Sequence, residues 1–212
     1  METTGDVVVV RGEEELFARA GHLWEHVSDL ACAANDLYTW SVTRPSGPER
    51  QQRPERIRKL YRPGVLLDPS TAQHLRGLAD SGAEIRITPD EINETIIFDR
   101  RIVILAGDAS YGVRGYSVIT RQEVVAGVQS LFEAAWRAGT ELAVYDAQIA
   151  EIRTLAPRIM ELLGSGCKDE TAARTLGLGV RTYRRRVAEL MNALGASSRF
   201  QAGVRARELG VV

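Results

Sequence analysis

Arginines are concentrated on one short segment near the C-terminal end of this 212-residue chain. Arg181, Arg184, Arg185 and Ala188 have the spacing of residues on one face of a helix. Apolar residues recur between them at steps of four, three and four and predict that the other face is buried: Tyr183, Val187, Leu190 and Leu194. Arginine on an exposed helix can bond guanine O6 and N7 in the major groove or neutralise phosphate. The pattern therefore predicts a DNA-binding helix that starts near Val180.

Two further helices are predicted just before this segment. An apolar stripe from Leu155 to Leu163 ends at a Gly-Ser-Gly break, and a short helix follows over Asp169 to Leu176. Gly177-Leu178-Gly179 then forms a tight turn. Two helices joined by a glycine-containing turn of about three residues are typical of a helix-turn-helix. The alternative is a helical bundle whose arginine-rich face is simply solvated.

The segment Gly166 to Arg199 resembles the LuxR-type (NarL/FixJ-type) helix-turn-helix. Nine residues stand at positions of the family pattern: Gly166, Ala173, Leu176, Leu178, Thr182, Leu190, Leu194, Gly195 and Arg199. The resemblance implies an all-α C-terminal domain of four helices, over residues 144–212. Three positions depart from the pattern, since Gly179 replaces a capping Ser, Tyr183 an aliphatic residue and Arg186 a His.

The same resemblance assigns roles to individual side chains toward double-stranded DNA. It implies that Arg184 and Arg185 face base edges and that Ala188 contacts a thymine methyl. It assigns phosphate contacts to four further residues: Lys168, Arg181, Thr182 and Arg186. The last helix of the family, here Ser198 to Leu209, commonly contributes to dimerisation, which implies a homodimer and an imperfectly palindromic operator.

A protein partner is the alternative to DNA. The arginine face would then bind a component of the transcription machinery, such as RNA polymerase or a sigma subunit, without touching DNA. Salt dependence distinguishes the two, because DNA affinity falls steeply with salt as phosphates are neutralised.

The near-neutral net charge of −1 conceals an uneven distribution of charge. Residues 151–212 carry 11 Arg and Lys against 6 Asp and Glu, which is +5, whereas the rest carries 16 against 22, which is −6. Such asymmetry favours a nucleic-acid-binding module joined to an acidic part. The segment Arg44 to Arg62, with seven basic and two acidic residues and three prolines, is a local exception that we predict to be a loop.

The first ~140 residues alternate helical and strand patterns. Helices are predicted over Glu13–His26, from Ser70 to a glycine end at Gly82, and over Arg121–Ala138. Strands are predicted at Leu30–Ala34, at Ile85 and Ile87, in a hairpin with Asp99-Arg100-Arg101 at its tip, and at Tyr116–Ile119. This predicts an α/β domain over residues 1–143. The charged hairpin tip and the Arg44 to Arg62 segment are its candidate contact sites, although solvated loops explain both equally well.

Leu75 to Gly107, with Phe132 to Trp136, resembles the phospholipase-D-like effector domain found with LuxR-type domains in actinobacterial regulators. The resemblance implies a mixed sheet with helices. Active phospholipase-D-type enzymes need an H-x-K pair, with His as the nucleophile. None of the three histidines has a lysine two residues later, so we expect no enzymatic activity: His22, His26 and His74. A phosphoreceiver is also disfavoured, because the only lysines are Lys59 and Lys168.

No cofactor or metal is expected. His22 and His26, four residues apart on the predicted helix, could bind a metal together, but an exposed histidine pair is the commoner arrangement. Cys32 and Cys167 lack metal-site spacing and are predicted to be reduced thiols. No apolar run is long enough for a membrane span, and the N-terminus does not resemble a signal peptide, so we expect a cytoplasmic protein without membrane contact.

Overall fold

The computed structural model describes residues 6–37, 39–40, 54–110 and 112–212. It contains eight strands: β1 (Val7–Arg11), β2 (Asp29–Ala34), β3 (Arg56–Tyr61), β4 (Glu84–Ile87), β5 (Thr95–Phe98), β6 (Ile102–Ser110), β7 (Val113–Ile119) and β8 (Thr140–Glu141). Three α-helices lie between strands along the chain: α1 (Gly12–Ala20) follows β1, α2 (Pro69–Asp80) lies between β3 and β4, and α3 (Gln122–Ala138) lies between β7 and β8. Four more follow: α4 (Leu142–Gly164), α5 (Asp169–Thr175), α6 (Val180–Ala193) and α7 (Arg199–Glu208). Among the described helices, none is both long and apolar enough to cross a membrane.

All eight strands form one mixed sheet in the order β1-β7-β6-β5-β2-β3-β4-β8. The pairs β2–β3 and β3–β4 are parallel, and the others are antiparallel. Helix α3 covers one face of the sheet, packing Phe132 and Trp136 against Leu60 and Val103. Helices α1, α2 and α4 cover the other face. The prediction of a mixed sheet with helices is confirmed.

Most predicted elements of this α/β part are present. Strand β2, the β5–β6 hairpin, β7 and α3 lie where the patterns placed them. Helix α2 begins after Asp68, whose side chain accepts a hydrogen bond from the Thr71 backbone N–H, and Gly82 follows its end with a φ of +94°. A left-handed glycine at this place is the usual way for a helix to end.

The segment between Arg44 and Arg62 was wrongly predicted to be a loop throughout, because its last residues form strand β3. Its part over residues 44–53 lies outside the described residues. Arg58 is only 2% exposed, and its Nη1 atom donates a 2.6 Å hydrogen bond to Glu133 Oε1. Its guanidinium also lies 5.4 Å from the centre of the Phe132 ring. A buried charge is tolerated when it is paired in this way, which the local sequence does not reveal.

Two smaller predictions also need correction. Helix α1 ends at Ala20 and a 3-10 turn follows over Gly21–Trp24, so His22 and His26 do not share a face of one α-helix as predicted. The apolar residues of the helix predicted over Arg121–Ala138 have the spacing of a core-facing stripe, and Phe132 and Trp136 are buried, but Leu131 is 73% exposed.

The charged tip of the β5–β6 hairpin forms hydrogen bonds with the residues at the start of β2. Asp99 and Arg100 both have positive φ, +49° and +57°, as the two central residues of a type I′ β-turn require, and the Arg101 N–H closes this turn by donating to Phe98 O at 2.9 Å. Asp99 Oδ1 accepts hydrogen bonds from the backbone N–H groups of Ser28 and Asp29, and Arg100 Nε lies 3.2 Å from Asp29 Oδ2. The tip therefore holds the start of β2, although its three residues are exposed, and its use as a contact site stays a prediction.

The C-terminal residues are helical, as predicted, but the first helix is longer than expected. Helix α4 is one continuous element of 23 residues with Pro157 inside it, not a short helix around Leu155 to Leu163. The predicted domain boundary between residues 143 and 144 falls in its first turn. Cys32 is buried, Cys167 is half-buried, and both are free.

Candidate nucleic-acid interface

The turn between α5 and α6 is fixed by backbone geometry. Helix α5 ends in a turn in which the Leu178 N–H donates to Ala173 O at 2.8 Å and the Gly177 N–H to Arg174 O at 3.1 Å. Gly177 has a φ of +66°, a conformation that glycine adopts without the cost imposed by a Cβ. Gly179 then caps α6 without a side-chain hydrogen bond, in agreement with the loss of the capping Ser.

Small and aromatic residues pack α5 against α6. Ala172 and Ala173 of α5 are at most 1% exposed, so the backbones of the two helices can approach closely. On α6 the predicted apolar stripe is buried throughout: Tyr183, Val187, Leu190 and Leu194. Burial raises the pKa of the Tyr183 hydroxyl, and this hydroxyl has no hydrogen-bond partner among the described residues. The packing sets the direction in which the outer face of α6 points.

That outer face carries residues that are predicted to contact DNA bases or phosphates. Arg181, Arg184, Arg185 and Ala188 are all exposed, and the side chains of Arg184 and Arg185 are 60% and 63% exposed. Thr182 is half-buried, and Lys168 is exposed at the start of α5. The structure thus brings six of the seven predicted residues to accessible positions around α5 and α6. Their contacts with DNA stay a prediction.

Asp169 connects two arginines around the turn. Its Oδ2 atom accepts a 2.8 Å hydrogen bond from Arg184 Nε, and its Oδ1 atom accepts one of 2.9 Å from Arg199 Nη2. The hydrogen bond from Arg184 is the main reason why the pKa of Asp169 is lowered, and that of Arg184 is correspondingly raised. Helices α5, α6 and α7 are therefore tied together at one carboxylate. The sequence analysis did not single out Asp169. The match of Arg199 to the family pattern pointed only to the partner of this carboxylate.

Arg186 differs from its neighbours because it points into the protein. Its side chain is 14% exposed, donates a 2.7 Å hydrogen bond to Glu189 and pairs with Glu151 of α4. These carboxylates raise its pKa, mainly through the hydrogen bond to Glu189. Any phosphate contact by Arg186 would compete with both carboxylates. Its evident role is to fix α6 on α4.

Comparison with known proteins gives a regulator as a homologue. No family model matches the chain. A curated relative from Streptomyces hygroscopicus, described as a bialaphos biosynthetic pathway regulatory protein, is 33% identical over 153 residues, which are 72% of this chain. The chain spans 60% of the length of that relative.

Three solved structures are similar to this one at low sequence identity. TrmBL2, an archaeal chromatin protein whose structure shows a mode of DNA binding, has a TM-score of 0.48 and 17% identity over 66% of this chain and 56% of its own. Nuc of Salmonella typhimurium, a phospholipase D family member, has a TM-score of 0.47 and is 12% identical; the match covers 64% of this chain and 97% of Nuc. NucT from Helicobacter pylori has a TM-score of 0.48 and is 7% identical; the match covers 64% of this chain and 99% of NucT.

Proposed function

We propose that this chain is a sequence-specific DNA-binding transcriptional regulator and that α6, which starts at Val180, enters the major groove. The observation that carries the proposal is the pair Arg184 and Arg185, both exposed on a helix whose opposite face is buried. A helix of this kind fits the groove, where arginine can bond guanine on two atoms. Homology to a pathway regulatory protein supports a role in gene regulation.

In this proposal α5 and α6 form the helix-turn-helix of a LuxR-type domain over residues 144–212. Arg184, Arg185 and Ala188 read bases, while Lys168, Arg181, Thr182 and Arg186 contact phosphates, Arg186 only by exchanging a carboxylate for a phosphate. Residues 1–143 form a phospholipase-D-like effector or dimerisation domain. We expect no catalysis by this domain, because His74, like His22 and His26, lacks the lysine of the H-x-K pair.

We further propose that the regulator is a homodimer that uses α7. Phe200 of this helix is 84% exposed, and aromatic residues such as Phe are enriched in protein–protein interfaces. A two-fold axis through α7 would place two copies of α6 on a palindromic site. Sedimentation of the intact protein should give the dimer mass, and Phe200→Ser should shift it toward the monomer.

The decisive experiment is selection of bound sequences from random duplex DNA, followed by affinity titration at several salt concentrations. We expect a two-fold symmetric consensus and an affinity that falls linearly with salt on logarithmic axes. If no duplex is enriched and no salt-dependent binding occurs, the proposal is refuted, and the alternative of a protein partner such as RNA polymerase is favoured.

A further inference from the structure

A cleft of about 610 Å³ lies where the α/β part meets the C-terminal helices. Arg62, just after β3, and Glu91, between β4 and β5, line one side. Leu194, at the end of α6, and Arg205, on α7, line the other. The volume falls within the range of small-molecule sites, about 300–1,000 Å³. We call this cavity the seam cleft.

Arg62 is a largely buried cation with few partners. Its side chain is 12% exposed, and in the part of the chain that the structure describes its one polar contact is Glu91 Oε1, 3.9 Å from Nη1. That distance exceeds the 2.7–2.9 Å typical of a charge-assisted hydrogen bond. Burial, followed by the charge of Arg205, lowers the pKa of Arg62. The guanidinium therefore has donors that the described residues do not use.

Arg205 faces the same cleft, and it too lacks a carboxylate at hydrogen-bond distance among the described residues. Its Nη1 donates a 3.3 Å hydrogen bond to Leu194 O, and its Nη2 lies 3.9 Å from the same Glu91 Oε1. Glu91 is 82% exposed, so water screens its charge from both arginines. Two neighbouring guanidinium groups thus share one solvated carboxylate at long range.

We propose that the seam cleft binds a small organic anion, with its carboxylate or phosphate oxygens between Arg62 and Arg205. Both groups match the planar fork of arginine, which binds such oxygens on two atoms. Asn35 and Asn93 supply additional polar groups on the cleft wall, and Ile92 and Val204 supply apolar surface for a carbon skeleton. The carboxylates of Asp36 and Glu208 also line the cleft, but neither is among the charges that act on Arg62. An incoming anion would replace the distant Glu91 as the partner of both arginines.

The position of the cleft gives binding a consequence, which rests on the proposed function. Arg62 packs against Gly195, so closely that a Cβ on this glycine would overlap the guanidinium. Gly195 directly follows the last turn of α6. An anion between Arg62 and Arg205 would therefore clamp α6 and α7 to the α/β part. The ligand would act as an effector that sets the position of the base-reading helix.

Calorimetric titration of the intact protein with malonate and with inorganic phosphate, at low and matched ionic strength, tests the site without DNA. We expect saturable binding by the wild type and a loss of about tenfold or more in Arg62→Gln and Arg205→Gln, since each removes charged hydrogen bonds. The control Arg207→Gln alters an exposed arginine on the same helix and should bind like the wild type. Tighter binding of malonate would identify a carboxylate ligand, and tighter binding of phosphate a phosphate ester.

Glu91→Gln keeps the test valid if an arginine variant fails to fold. This substitution changes an exposed side chain and removes the carboxylate that competes for the arginines, so it should tighten anion binding several-fold. The proposal is overturned if neither probe binds the wild type, or if Arg207→Gln weakens binding as much as Arg62→Gln. Because DNA is absent from the titration, failure of DNA binding would leave this result unaffected.

Discussion

Arg184 Nε donates a 2.8 Å hydrogen bond to Asp169 Oδ2, so the arginine proposed to read a base is held by the helix before its own. The other oxygen of Asp169 holds Arg199 at the start of α7. This carboxylate fixes the direction of Arg184 before DNA arrives, which lowers the entropy lost on binding.

Asp169→Asn should lower stability in a pH-dependent way. The pKa of Asp169 is lowered in the folded protein, so its charge stabilises the fold above the ordinary Asp pKa of about 3.9, and that stability is lost as pH falls through the folded pKa. We expect a loss of about 1 kcal/mol in the free energy of unfolding at pH 7, and this loss should shrink as the pH falls below the ordinary Asp pKa of about 3.9. Urea unfolding at pH 7 and at a series of pH values below about 3.9 measures this.

Glu170→Gln is the matched control for Asp169. This neighbouring carboxylate is 60% exposed and lies 3.5 Å from Arg184, so it should change stability less at either pH. A loss in Asp169→Asn that is independent of pH would contradict the ionic role of Asp169.

Arg184→Ala and Arg185→Ala should each lower affinity for the selected operator by roughly 1–3 kcal/mol where the contact is bidentate, and relax the preference for one base. Lys168→Ala should weaken all duplexes alike and reduce the salt slope by about 1. Arg137→Ala, at the exposed end of α3, is the control that should leave affinity unchanged. Wild-type affinity in both α6 variants would refute the assignment of α6 as the reading helix.

Arg58→Ala should destabilise the fold strongly, by about 3 kcal/mol, because Glu133 and Asp29 lose their buried partner. Arg56→Ala is a close control, two residues earlier on β3, where the ion pair with Glu84 is about half exposed. It should cost less than about 1 kcal/mol. Denaturant midpoints of the two variants give the comparison, and similar losses would show that Arg58 is not a structural cation.

Tyr183→Phe should stabilise the protein. The Tyr183 hydroxyl is buried and lacks a hydrogen-bond partner among the described residues, so its removal relieves a desolvation cost of about 1 kcal/mol. Calorimetry should show a rise in Tm of roughly 2–4 °C. A lower Tm would mean that the hydroxyl is hydrogen-bonded in solution.

Elements with local signals were predictable from sequence. Two apolar runs separated by three charged residues indicated the β5–β6 hairpin, and Gly82 marked the end of α2. The exposed arginines of α6 were also predictable, because helical spacing alone separates Arg184 from the buried Tyr183.

The features that the sequence did not reveal concern residues whose surroundings are set by distant parts of the chain. The local sequence around Arg58 is typical of a loop. Its burial in β3 depends on Glu133 of α3, which pairs with it from 75 positions later in the chain. Arg186 belongs by spacing with its exposed neighbours, yet Glu151 of α4 draws it inward. Asp169 has no distinctive motif, because its role depends on one arginine 15 residues away and another 30 residues away.

One apolar core continues from the sheet into the C-terminal helices, and it includes Leu66 and Leu75 as well as Leu190 and Ala206. At its edge, a Cβ on Gly64 would lie 2.6 Å from Leu209 Cδ1, so even the backbone is fitted to the last helix. Recombination that replaced only the helical part would leave mismatched surfaces on both sides of this junction. We therefore expect that substitutions on the two sides of this junction are coupled in evolution and that the helical part is not exchanged as an independent domain.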